Sequence, residues 1–308
     1  MEKASRGGRW LTIAGFLLLC LLWAWDSLRG DLAPESTTAA MPAMERQALE
    51  FALPAAAVAL FALLRRKPWP AGREGFAWML AGMELFLLPT LLVHLSVGWI
   101  NQLTRAALFS LVPVLAVVVD PYLGSGETSG KGLAAALAAV MGTFLVFPAT
   151  VPGSLAGVAG WCATLAAALC IAAGNCSAVP LARRSHSLAP AVAIACGTAA
   201  AGFAVTSALT EHAVSPLTGS GLESLIGAAI ATLLIFWLLR RMDAVPMTTR
   251  YVVAPLIANL AAVVLFRPIV SLRAGLGLGL IAAGAGWLLF VFGDERHNAD
   301  MPQTLRLK

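Results

Sequence analysis

The sequence predicts an all-α integral membrane protein of ten transmembrane helices, arranged as two inverted five-helix repeats. Three observations predict it. First, 59% of the 308 residues are hydrophobic and only 12% are charged, against roughly a quarter charged in soluble domains. Second, apolar runs recur along the whole chain, each long enough to cross a hydrocarbon core of roughly 30 Å. A helix satisfies its own backbone hydrogen bonds in lipid, where an open sheet does not. Third, Lys and Arg gather on alternate connections, as they do when short loops set orientation.

Taken in order, the ten spans are 10–27, 47–64, 75–95, 100–119, 131–148, 158–180, 189–209, 222–241, 248–266 and 273–293. The first follows Lys3, Arg6 and Arg9, the general shape of a secretory signal. No A-x-A-like cleavage site follows, and LLLC at Cys20 lacks the small residue a lipoprotein signal needs, so this run reads as a retained helix. The second and third spans are separated by RRKPWPAGRE, where two prolines and four basic residues end one helix and precede the next. A short turn at Trp99 leads into the fourth, which carries Pro113. DPYLGSGETSGK precedes the fifth, PATVPGSLAG the sixth, and Arg183–Arg184 stand before the seventh. TEHAVSPLTGSG precedes the eighth, Arg240–Arg241 end it, and the ninth carries Pro255. The tenth is glycine-rich. No segment is long enough for a separate soluble domain.

With the N-terminus inside, sixteen of the 21 Lys and Arg fall on the inner side. The inner set comprises the N-tail, Arg65, Arg66, Lys67, Arg73, Lys131, Arg183, Arg184, Arg240, Arg241, Arg250 and the C-tail. Arg29, Arg46, Arg105, Arg267 and Arg273 fall outside. Losing or merging one span would flip every later loop and destroy the bias. The expectation is therefore a multi-pass protein of the cytoplasmic membrane with both termini cytoplasmic. The formal charge of +5 is loop charge, and with no basic stripe alternating with aromatics the chain has no nucleic-acid partner. Cys20, Cys162, Cys170, Cys176 and Cys196 all lie in apolar runs, are odd in number and form no CxxC pair, so they read as small packing residues.

A shift of 142 residues pairs Pro113 with Pro255, Ala116 with Ala258, Lys131 with Arg273 and Gly142 with Gly284. Each pair joins the fourth span to the ninth or the fifth to the tenth. Halves of five helices insert with opposite orientation, the inverted-repeat plan of many secondary transporters. The division falls at residues 1–150 and 151–308.

In this layout the chain resembles the EamA-like branch of the drug/metabolite transporter superfamily. The resemblance rests on LLWAWDSL (21–28) in the first helix, ALFSLVPVLAVVV (107–119) in the fourth, APLIANLAAVVLF (254–266) in the ninth and GLGLGLIAAGAGWLLF (275–290) in the last. Three positions depart from the family pattern: Glu50 where an early Arg is common, Arg267 where a Glu often ends the ninth helix, and Asp120–Pro121 in place of Gly-Glu. The resemblance implies outward movement of small organic metabolites by alternating access. The rival class is a non-transporting membrane scaffold or assembly protein with a transporter-like fold.

Chemical motifs are few. GSGETSGKG (124–132) fails as a P-loop, with Ser125 at the first glycine position and Gly132 where a magnesium-binding Ser or Thr is required. It reads as an inner loop. Asn175-Cys176-Ser177 matches a glycosylation acceptor but lies within a span. None of His94, His186, His212 and His297 has a metal-ligand partner at a suitable spacing, and neither GxSxG nor HExxH occurs. No cofactor and no enzyme activity are expected. Gly275 and Gly279, four apart, allow close approach of another helix, within the chain or from a second subunit, which leaves a homodimer open.

Candidate functional residues are the polar groups at membrane depth, which are expensive there and usually face a bundle interior. The expected transport pathway comprises Glu84, Asp26, Asn175, Asn259, Trp23 and Trp99, within spans 1, 3, 4, 6, 8 and 9. Glu84 sits near the middle of the third span on the face of Ala77 and Ala81. A carboxylate there can exchange a proton for substrate, pair with a cationic substrate group, or simply bond another helix. Asp26, Asn175 and Asn259 divide between pathway and packing roles, and Trp23 and Trp99 between cavity wall and interfacial anchor. Glu50 is expected to pair with Arg46, four residues away, and Asn101 to cap a helix.

Overall fold

The computed structural model describes residues 2–32, 41–123, 130–211, 219–267 and 271–292. The middle of the first loop, most of GSGETSGKG, the loop after the seventh span and the basic C-tail lie outside the described residues.

The described residues are helical almost throughout. The elements are α1 (Glu2–Leu32), α2 (Ala43–Leu64), α3 (Gly72–Gly82), α4 (Leu88–Ser96), α5 (Gln102–Phe109), α6 (Val112–Leu123) and α7 (Gly130–Val146). They continue with α8 (Leu155–Arg184), α9 (Leu188–Thr210), α10 (Gly219–Leu239), α11 (Ala244–Thr248), α12 (Arg250–Phe266) and α13 (Leu272–Trp287). Among the described residues nine stretches are long and apolar enough to cross a membrane, α3–α4, α5–α6 and α11–α12 each counting as one; α7 is apolar but only 17 residues long. The protein is a multi-pass, all-helical membrane protein.

Among the described residues three spans are interrupted within their length, and α13 runs into a second π turn, Leu288–Phe292. Between α3 and α4 the backbone widens into a π turn, Met83–Leu87, with the Leu88 N–H bonded to the Met83 carbonyl. Pro89 follows at once; its ring would press on the Leu85 carbonyl in a regular helix, and a π turn is one way to absorb that conflict. Between α5 and α6 the chain turns at Ser110–Leu111, two residues before Pro113, and the Ser110 hydroxyl donates to the Ala107 carbonyl at 2.6 Å. Between α11 and α12 the break is at Thr249, whose hydroxyl donates to the Pro246 carbonyl, also at 2.6 Å. Both hydroxyl-bearing residues are fully buried. The two breaks lie about one turn out of the register that pairs Pro113 with Pro255.

The chain forms two compact units, each drawn from both halves of the sequence. The first comprises Met1–His94 and Ser177–Arg241. Here α2 packs along α9, with α3 on α9, α10 on α2 and α1 on α10. Glycine sets the spacing: a Cβ on Gly82 would collide with the Ala195 carbonyl, and one on Gly202 with the Leu87 side chain. Phe51 fills the space between Phe86 and Phe203, at 4.7 and 5.7 Å between ring centroids, and Trp78 meets Phe236 at 6.1 Å. The N-terminus of α2 begins after Pro42, which offers no side-chain cap. Glu211, just past the end of α9, supplies one: its carboxylate accepts the N–H groups of Met44 at 2.8 Å and Glu45 at 3.0 Å, and the Ser207 hydroxyl at 2.8 Å.

The second unit comprises Leu95–Cys176 and Met242–Lys308. Its main seam is α7 against α13. Gly142 and Gly277 face each other there; a Cβ on the first would lie 2.6 Å from the Gly277 carbonyl, and one on the second 2.7 Å from the Gly142 carbonyl. Gly284 packs on Ala135 and Ala139 in the same way. Gly275 and Gly279 have no neighbour within 4 Å of a Cβ among the described residues, so within the chain the close approach uses the opposite face of the helix.

Candidate functional site

Among the described residues, two of the predicted pathway residues bond a polar side chain of a different helix, one in each unit. In the first unit Glu84 occupies the π turn, at the middle of the span Gly72–Ser96, and is partly buried. Its Oε2 accepts the Ser177 hydroxyl at 3.1 Å. Just past the end of α8, the Ser185 hydroxyl donates to Glu74 Oε1 at 3.0 Å. The end of α8 is thus tied to α3 and to the π turn that follows it by two serine–glutamate bonds. Trp78, on α3 between the two glutamates, is fully buried and its indole N–H has no hydrogen-bond partner among the described residues.

In the second unit Asn175 is fully buried and both ends of its amide are used. Nδ2 donates to the Ile171 carbonyl at 2.7 Å, and Oδ1 accepts Nη1 of Arg250 at 3.1 Å. The same Arg250 nitrogen donates to the Met247 carbonyl at 3.0 Å, and the guanidinium lies 4.9 Å from the Tyr251 ring, which itself stacks on Phe109. Arg250 is only 2% exposed. The sequence placed it on the inner side, at the start of the ninth span, and it lies at the buried start of α12. Its burial could not be read from the sequence, because the distant Asn175 accepts its hydrogen bond.

The remaining candidates join neither pair. Asn259 is partly buried and donates to the Pro255 carbonyl on its own helix at 2.7 Å. Asp26 is exposed near the end of α1, within electrostatic reach of Glu50. Trp23 is half-buried, and Trp99 is 48% exposed beside Gly160. Glu50 is buried and pairs with Arg46 at 2.8 Å, as its spacing predicts, with a second bond from Gln47 at 2.9 Å. Asn101 caps α5 by accepting the Thr104 N–H at 2.7 Å. The five cysteines are all free thiols.

Glu211 lies outside the spans. Burial alone would raise its pKa; the bonds from Met44, Ser207 and Glu45, together with His94, outweigh that and hold the carboxyl below its ordinary value.

No family model and no curated protein matches the chain. Among solved structures, the fold is similar to one described only as "Crystal structure of protein", with a TM-score of 0.73 and 22% identity over 91% of this chain and 98% of that one. At this identity the likeness shows a shared fold.

Proposed function

We propose that this protein is a secondary transporter of the EamA-like, drug/metabolite type, moving small organic metabolites outward across the cytoplasmic membrane by alternating access. Ten helices form two inverted halves, with both termini in the cytoplasm. Glu84 carries this reading. An ionisable group at the middle of an apolar span is costly, and a scaffold has no use for one; π turns recur at functional sites. The inverted halves are supported by the packing. The most extensive seams, α2 with α9 and α7 with α13, join second span to second and fifth to fifth. The fourth and ninth spans are both broken, each at a buried hydroxyl bonded three residues back. Without an ATP-binding motif, energy comes from an ion gradient, with Glu84 carrying the proton, or from the substrate gradient itself.

The test is transport by the purified protein in vesicles, using a panel of labelled metabolites under an imposed pH gradient. At least one should move in a pH-dependent way. Glu84→Gln keeps the size and hydrogen-bonding capacity but cannot titrate, so it should abolish the pH dependence while the protein stays monodisperse. Full pH-dependent transport by that variant makes Glu84 structural. If no metabolite moves and the protein instead purifies in fixed ratio with a membrane complex, the scaffold reading replaces this one.

A further inference from the structure

An apolar groove of about 550 Å³ runs between α1 and α10, lined by Leu11, Ala14, Gly15, Leu18, Ile230, Leu233, Leu234 and Trp237. Gly15 makes room for the Trp237 ring at its wall: a Cβ there would lie 2.6 Å from that ring. From Leu11 to Leu18 the groove extends about 10 Å along the helix axis, roughly two thirds of one leaflet of the hydrocarbon core. One end carries cations. The Arg241 guanidinium lies 4.5 Å from the centre of the Trp237 ring, and both Arg240 and Arg241 are exposed there.

We propose that this groove holds one anionic phospholipid, with an acyl chain along Leu11–Leu18 and the headgroup phosphate at Arg240 and Arg241. An apolar slot of leaflet depth under a pair of arginines matches that chemistry at both ends. Trp237 joins the two parts, with its ring against the chain and its face under the guanidinium. On the orientation set by the charge bias the arginines face the cytoplasmic leaflet, where anionic headgroups attract basic residues.

The experiment uses the full chain in detergent micelles, titrated with phosphatidylglycerol or phosphatidylcholine carrying the same brominated acyl chains. The readout is quenching of Trp237, taken as wild type minus Trp237→Phe. Phosphatidylglycerol should reach its half-point at a concentration at least fivefold lower than phosphatidylcholine. Replacing Arg240 and Arg241 by Ala should erase that preference, by about fivefold for each arginine. Ala14→Leu, which fills the groove from an exposed position, should remove Trp237 quenching by both lipids; if that variant unfolds, Leu18→Phe fills the other end and serves the same purpose. Equal half-points for the two lipids, displacement of the lipid by inorganic phosphate, or quenching lost as the protein is concentrated, which marks a second copy in the groove, each overturns the proposal.

Discussion

Asn175 and Arg250 lie 75 residues apart in sequence and meet at 3.1 Å, both buried. A hydrogen bond to a charged group contributes about 1.5–3 kcal/mol. In a double-mutant cycle Asn175→Ala, Arg250→Met and the pair should therefore show a coupling energy of that size, measured by thermal unfolding in detergent. Additive effects would mean that the two side chains pack independently.

Glu211 acts as the cap that α2 does not supply for itself, so Glu211→Ala should cost about 1 kcal/mol. The pH dependence has a defined sign. Because the folded-state pKa is depressed, the stabilisation is fully present above the unfolded value of 4.5 and is lost as pH falls through the folded one. Melting temperatures measured downward from pH 6 should fall more steeply for the wild type than for Glu211→Ala, and parallel curves would contradict the assignment.

The tenth span offers an internal control. Gly277→Ala would drive a methyl against the Gly142 carbonyl and should destabilise by about 1–3 kcal/mol, whereas Gly279→Ala meets nothing within 4 Å among the described residues. Unfolding of the two purified variants should separate them clearly. Equal losses would show that the α7–α13 seam is loose.

Topology can be tested at the turn after α8. Ser185 is buried against Glu74, but His186 is exposed. A cysteine placed at His186 should resist a membrane-impermeant thiol reagent added to intact cells and react once the cells are opened. Labelling from outside would reverse the proposed orientation.

Much of the fold was legible in the sequence because spans in lipid announce themselves by length and by the charges at their ends. Nine of the predicted spans have a helical counterpart long and apolar enough to cross a membrane, the fifth corresponding to the shorter α7, and the i, i+4 pair of Arg46 with Glu50 followed directly from spacing. The interruptions were less legible. Pro89 stands in the third span, but nothing local separates a π turn from a kink there. Glu84 was visible as a lone carboxylate in an apolar run; its partner Ser177 was not, because serine is ordinary in a membrane helix. The burial of Arg250 was hidden for a related reason: burial of a charge is decided by a partner far away in sequence. The glycines of α13 showed that the helix would be crowded, while the crowded face depended on where α7 lies.

The interleaving of the two units constrains the order in which the chain can be built. Unit one lacks its Ser177–Arg241 portion until α10 has left the ribosome, and unit two lacks α11, α12 and α13 until synthesis is nearly finished. The N-terminus of α2 is made early, yet its cap residue Glu211 follows more than 160 residues later. Domains usually fold in the order of their synthesis, but here the helices made before α10 must be held as unfinished intermediates. Co-expressed fragments cut within the loop 212–218 should thus reassemble only with each other, because neither fragment contains a whole unit.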